Sequence, residues 1–183
     1  MQTSMSGSEA HILARCSAFD LDALSAVYDR FSPALYRYAW RLTGNDDLAE
    51  ECVAETFGRY LAALRAGAGP TQNVRAYLYR VAHNWIGDQW RRTWDVGTHE
   101  ELERTAGPAN TSQAAEKSIE QNRVRRALRS LTPDQRQVIV LKFYEGLDNR
   151  EVAQAIGKPV GSVKSLQHRA LQSLARALGR EEE

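Results

Sequence analysis

Ser162, Lys164, Ser165, His168 and Arg169 lie in a stretch, residues 160–178, that holds no acidic side chain. The chemistry open to such a set is recognition of a polyanion. Ammonium and guanidinium groups hold phosphates, while hydroxyl, imidazole and guanidinium groups can hydrogen-bond base edges in a groove. At helical period the opposite stripe is Val163, Leu166, Ala170, Leu174 and Leu178, so one helix face is apolar and the other basic. Gly161 and Ser162 add little bulk where backbone would approach a duplex. A helical hairpin with a solvated basic face is the competing reading of the same pattern.

A second set interleaves Tyr77, Tyr79, Trp85, Trp90 and Trp94 with Arg75, Arg80, His83, Arg91 and Arg92. Aromatic faces beside guanidinium groups suit stacking on unpaired bases. Tyr77 or Leu78, Val81 and Trp85 equally fit a buried stripe, and the residues alone leave both readings open. A third set, Asp47, Glu50, Glu51 and Glu55, lines one side of a helix. It reads as a solvated acidic face or as a docking surface for a basic partner, and the solvated face is the simpler of the two. Cys16 and Cys52 lack metal-ligand spacing, and the four histidines are scattered. No nucleophile–base pair or phosphate loop appears, so neither an enzyme, a metal, a cofactor nor a small-molecule substrate is expected.

The elements that must carry these residues are helical, with no alternating strand pattern. Asp20 opens a helix through Leu21, Leu24, Val27 and Phe31. Ser32-Pro33 reads as a cap and first residue of another, ending at Gly44. Asn45 caps a helix to about Ala66, Gly67–Pro70 breaks the chain, and Asn73 caps a further helix to about Trp94. Residues 95–118 are polar and acidic and read as a flexible linker. Beyond them a helix passes through Val124, Leu128 and Leu131, and Thr132-Pro133-Asp134-Gln135 forms a capping box. The following Val138–Phe143 is apolar nearly all round, as in a helix buried among others. Residues 149–156 make a short helix with Val152, Ala155 and Ile156 inward, Gly157 ends it, and Pro159 precedes the next.

The expected fold is therefore all-α, with two small helical domains, 20–94 and 119–179, joined by the linker and preceded by a segment, 1–19, without an assigned role. The net charge of +1 conceals an uneven distribution: zero over residues 1–94, −3 over 95–118 and +4 over 119–183. A basic C-terminal end fits a polyanion contact there. No apolar run reaches the roughly 18 residues that span a bilayer, and the N-terminus lacks a signal-peptide pattern. A soluble, cytoplasmic protein without membrane contact is expected.

Residues 131–174, with their GSVKS and HRA elements, resemble the promoter-reading C-terminal domain of bacterial sigma factors of the extracytoplasmic-function (ECF) type. The segments DDLAEECVAETFGRYL and NVRAYLYRVAHNWIGDQWRR are similar to that family's N-terminal polymerase-binding and promoter-melting segments. The chain departs from the family at Leu166 and Leu171, where arginine is frequent, and at Ala54, where glutamine is. The resemblance implies a sigma2-like helical bundle and a sigma4-like helix-turn-helix. It implies that Ser162, Lys164, Ser165, His168 and Arg169 read the −35 duplex. Asn73, Arg75, Asn84, Asp88, Arg91 and Arg92, with the loop from Thr71, would contact the melted −10 element. Asp47, Glu50, Glu51 and Glu55 would contact the β′ clamp helices of core RNA polymerase, and the C-terminal domain its β flap. The linker, with Glu100, Glu101 and Glu103, would thread toward the polymerase channels, and an anti-sigma factor is an implied partner. A stand-alone helix-turn-helix regulator and a helical protein-interaction adaptor remain the alternatives from other classes.

Overall fold

The computed structural model describes residues 3–95, 123–124 and 126–179; the side chains of residues 3–8 and 93–95 lie outside that description. So do the linker expected over residues 95–118, beyond Asp95's backbone, and Trp94's ring. No strand occurs among the described residues. The helices are α1 (Thr3–Ser17), α2 (Leu21–Thr43), α3 (Asp46–Arg65), α4 (Val74–Asp95), α5 (Pro133–Ile139), α6 (Asn149–Ile156) and α7 (Val160–Gly179). Residues 126–129, ahead of α5, are helical as well.

Capping chemistry sets most boundaries. The Asp20 carboxylate accepts the Ala23 N–H to start α2, and Asn45 accepts the Leu48 N–H to start α3. Gly44, with φ 69°, ends α2 in the left-handed region that glycine enters without a Cβ clash. Thr132 and Gln135 make the expected capping box at α5. Asp148 and Glu151 make a second one at α6, which the sequence reading passed over.

The break expected at Ser32-Pro33 does not occur, because α2 runs unbroken through Pro33. Pro33 is exposed, so the backbone bond it forgoes lies on the solvent side. Val27, Phe31, Leu35, Tyr38 and Leu42 form one buried stripe on the other side. Burying such side chains is worth about 1.5–3 kcal/mol each, which outweighs the ~3 kcal/mol that proline costs in a helix interior. A cap-and-proline pair looks the same locally whether it starts a helix or lies within one; packing decides.

Helix α1, to which the sequence reading gave no role, inserts Leu13 and Cys16 into the core beside α2 and α3. Helix α4 contributes Leu78, Tyr79, Ala82, Trp85 and Ile86. Its surface packs on α2 and α3, and also against α6. In consequence Val138, Val140, Leu141, Leu147, Val152, Ala155, Ile156 and Val163 share one hydrophobic cluster with α2–α4. The N- and C-terminal halves are thus packed face to face. A smaller cluster of Leu128, Leu131, Ile139 and Ala170 holds the end of α5 to α7.

The run expected to be buried all round is buried only in part. Val138 through Leu141 are buried, whereas Phe143 is 54% exposed. From Val140 to Tyr144 the helix widens to a π-turn, and the Glu145 N–H donates to the Val140 carbonyl. The wider turn carries Phe143 and Tyr144 outward and leaves Glu145 facing the N-terminal half.

Replacing Pro33 with alanine restores a backbone donor inside a continuous helix. Urea denaturation of Pro33→Ala is expected to show a rise in unfolding free energy of about 1–3 kcal/mol; a fall would mean that Ser32-Pro33 begins a separate helix.

Candidate nucleic-acid interface

The helix-turn-helix is built by α6 and α7. Asp148 accepts the backbone N–H groups of Arg150 and Glu151, and these bonds, the Glu151 one foremost, lower its pKa below the ordinary carboxylate value. Gly157, at φ 66°, turns the chain, and α7 follows Pro159. Val163 and Ala170 are fully buried, anchoring α7, while Leu166 and Leu174 are half-buried against the two clusters.

That anchoring leaves Ser162, Lys164, Ser165, His168 and Arg169 together on the exposed side of α7. Their present partners are local. The Ser165 hydroxyl donates to the Gly161 carbonyl at 3.1 Å, and Arg169 Nε donates to the Ser165 carbonyl at 3.3 Å. His168 shares a 3.0 Å hydrogen bond with Gln172. Exposed bonds of this kind exchange readily for phosphate or base contacts. Leu171 is 43% exposed on the same helix, an apolar group at the edge of the basic face.

Helix α3 likewise presents Asp47, Glu50, Glu51 and Glu55 to solvent, with Glu55 3.3 Å from Arg59. Its buried side holds Cys52, whose thiol burial pushes up to about 12, so it stays protonated and packs as a small apolar group.

The aromatic-basic helix divides differently. Trp85 is 3% exposed and Tyr79 1%, so neither ring is available for stacking on a base. Tyr77 is half-buried beside Tyr60, with ring centroids 5.9 Å apart. Trp90 is half-buried, with the Arg136 guanidinium 5.6 Å from its ring. On the same helix Asn84, Arg91 and Arg92 are exposed, and Asp88 pairs with Arg91. Asn73 and Arg75, at the start of α4, turn instead to the C-terminal half. The Asn73 amide donates to Gln154 at 3.2 Å while its oxygen caps the Ala76 N–H. Arg75 donates to the Glu145 carbonyl and lies 3.9 Å from the Glu151 carboxylate.

The residue sequence reasoning missed is Glu145. Its side chain is only 4% exposed, accepts from Arg41 Nη1 at 2.8 Å and from the Tyr79 hydroxyl at 2.8 Å, and so joins α2, α4 and the end of α5. Burial, together with this carboxylate, raises the Tyr79 pKa, keeping the phenol a donor. The local sequence signal was an acid closing an apolar run, which does not say what it meets. Among the described residues no group of metal-ligating side chains converges, and no helix is long and apolar enough to cross a membrane.

Residues 27–96 match the family model described as sigma-70 region 2, and residues 121–174 the one described as sigma-70 region 4. The ECF RNA polymerase sigma factor BldN of Streptomyces coelicolor is 30% identical over 170 residues, covering 91% of this chain; the chain spans 64% of that relative's length. The RNA polymerase sigma-E factor of Streptomyces avermitilis is 34% identical over 164 residues, covering 81% of this chain and 87% of the relative. Among solved structures, the sigma factor RpoE of Bartonella quintana, in complex with the anti-sigma factor NepR, superimposes with a TM-score of 0.69 at 25% identity, over 85% of this chain and 96% of that one.

One titrating group lies in the seam between α4 and α5. His83 is half-buried, and burial lowers its pKa against the opposing pull of Asp134, with Lys158 and Arg80 adding to the lowering. The folded chain therefore favours the neutral ring, and the unfolded chain protonates first as pH falls. The stabilisation is full above the unfolded pKa of about 6.5 and is lost as pH drops through the folded one. Unfolding free energies measured between about pH 7 and pH 5 should decline less steeply in His83→Gln than in the parent chain.

Proposed function

We propose, for a chain that belongs to the sigma-70 family and within it to the extracytoplasmic-function sigma factors, that it directs core RNA polymerase to specific promoters and helps open them. The observation that carries this reading is the outer side of α7, where Ser162, Lys164, Ser165, His168 and Arg169 are exposed together while Val163 and Ala170 anchor the helix from behind. That side enters the major groove of the −35 element. Lys164 and Arg169 hold phosphates or guanine edges, and Ser162, Ser165 and His168 supply shorter contacts. Leu166, half-buried where an arginine is frequent in the family, serves packing, so the phosphate contacts are fewer here.

The −10 contacts are assigned to Asn73, Arg75, Asn84, Asp88, Arg91 and Arg92 on and before α4. With Trp85 and Tyr79 buried, aromatic stacking falls to half-buried rings of α4 such as Trp90. Unstacking a base costs a few kcal/mol, and a captured base returns about 1–3 kcal/mol on an aromatic platform. Binding energy alone then holds the melted strand, and the protein acts by recognition without a catalytic step. Asp47, Glu50, Glu51 and Glu55, all solvent-facing on α3, dock on the basic β′ clamp helices, and the C-terminal helices reach the β flap. The boundaries 20–94 and 119–179 are the working division, with α1 packed onto the first unit. An anti-sigma factor that covers these faces is the expected regulator, by analogy with the complex of the Bartonella relative. A cytoplasmic site of action follows from a promoter target.

In vitro transcription with core polymerase on a promoter library tests the whole reading: specific start sites are expected, and none with any promoter would exclude it. Lys164→Ala and Arg169→Ala should each weaken promoter binding and lower the slope of log affinity against log salt by about 0.9 for each phosphate no longer neutralised. A stand-alone regulator would keep that behaviour without polymerase, and an adaptor would show neither effect. Glu50→Lys with Glu51→Lys should abolish co-purification with core polymerase while far-ultraviolet circular dichroism stays unchanged.

A further inference from the structure

Among the described residues, every charge and hydrogen-bond partner of the Glu145 side chain comes from the opposite half of the molecule: Arg41 on α2 and Tyr79 on α4. A carboxylate with 4% of its side chain exposed requires such partners, because an unpaired buried charge is costly. The neighbours reinforce the same contact. The Arg41 guanidinium also lies 4.7 Å from the Tyr144 ring centroid. Arg75 donates to the Glu145 carbonyl and faces Glu151, and Asn73 donates to Gln154. Asn73 has both ends of its amide engaged, and Arg75 has its guanidinium turned onto two acceptors of the C-terminal half. By contrast, the basic side of α7 bonds within its own helix and stays exposed.

We propose that Glu145 is an intramolecular latch that holds the free chain closed and self-inhibited. In the closed state Asn73 and Arg75 are bonded to the C-terminal half, so a single strand has to displace those bonds to engage them, while the duplex-reading side of α7 remains open. Docking that separates the two halves exposes Asn73 and Arg75 together with the Glu145 carboxylate. Full single-strand capture, with Asn73 and Arg75 taking part, is thereby favoured in the polymerase-bound state, and the apparent affinity of the free chain for a single strand is reduced by its small open fraction. This inference rests on the assignment of Asn73 and Arg75 to the melted strand, but the latch itself does not.

The test uses the full chain with spin labels on Ala62→Cys and Ala175→Cys, exposed positions on α3 and α7 outside the proposed contacts, and Cys16 and Cys52 left buried. Double electron–electron resonance should give one narrow distance distribution for the parent and a broader, longer one for Glu145→Gln. Tyr79→Phe, which removes one donor at constant shape, should shift in the same direction and less. A random single-stranded 12-mer pool, read by fluorescence anisotropy, should bind Glu145→Gln about tenfold more tightly than the parent. Unfolding of Glu145→Gln followed by circular dichroism separates opening from loss of fold. An unchanged distance distribution in a folded Glu145→Gln overturns the latch. Opening without a gain in single-strand binding keeps the latch and overturns the −10 role of Asn73 and Arg75. Failure of the parent chain to support transcription overturns the sigma reading and leaves the distance result untouched.

Discussion

Burial of α4 on two sides is the constraint from which the rest of the molecule follows. Leu78, Tyr79, Ala82, Trp85 and Ile86 are at or near zero exposure, and no single neighbour covers them all. Helices α2 and α3 close one flank and α6 the other. Once both flanks are filled, α4 keeps only a narrow solvent strip, occupied by Arg80, Asn84, Arg91 and Arg92. The helix expected to mix core packing with base stacking therefore separates the two by face: buried rings inward, and Asn84, Arg91 and Arg92 on the solvent strip.

The same double packing creates an electrostatic obligation. Glu145 is carried inward by the π-turn that ends α5 and loses most of its water. Arg41 and the Tyr79 phenol replace that water with charge-assisted bonds at 2.8 Å. Such a pair adds little net stability over an apolar substitute, since desolvation offsets the attraction. Its value lies in geometry, because the carboxylate is satisfied in one relative placement of the halves. Apolar burial supplies the adhesion and Glu145 the register, and removing the carboxylate strands the half-buried Arg41 and buried Tyr79 donors, which favours separation of the halves.

Function then divides along exposure. The two surfaces proposed to meet large, pre-formed partners, the basic side of α7 and the acidic side of α3, face solvent in the closed chain. Of the residues assigned to a partner that exists only after melting, Asn73 and Arg75 are engaged internally, whereas Asn84, Arg91 and Arg92 stay exposed. A sigma factor arranged this way would find duplex and polymerase first and the single strand last, the order in which those partners become available.

Local chemistry was legible wherever a residue acts on its own backbone. Asn45, Asp20, Thr132 with Gln135, and Gly157 end or begin helices by bonds within a few residues, so spacing alone revealed them. The apolar stripe of α6 and the basic face of α7 were equally readable, since a helix surface repeats with its own period. Pro33 was misread because the signal for starting a helix and the tolerance for proline inside one differ only in what the far side of α2 buries. Trp85 and Tyr79 were ambiguous because an aromatic ring serves a core and a stacking platform with the same atoms, and only the neighbours distinguish them. Glu145 was invisible as a functional residue: its partners lie 104 and 66 residues away in sequence. The sequence by itself determined most of the helices and several of their caps, the basic face of α7 and the family. The tertiary structure alone decided which aromatics are buried, that α1 belongs to the core, and that the two halves meet through a buried carboxylate. Pairing a buried charge across the chain depends on where distant helices pack, and no short-range pattern encodes that.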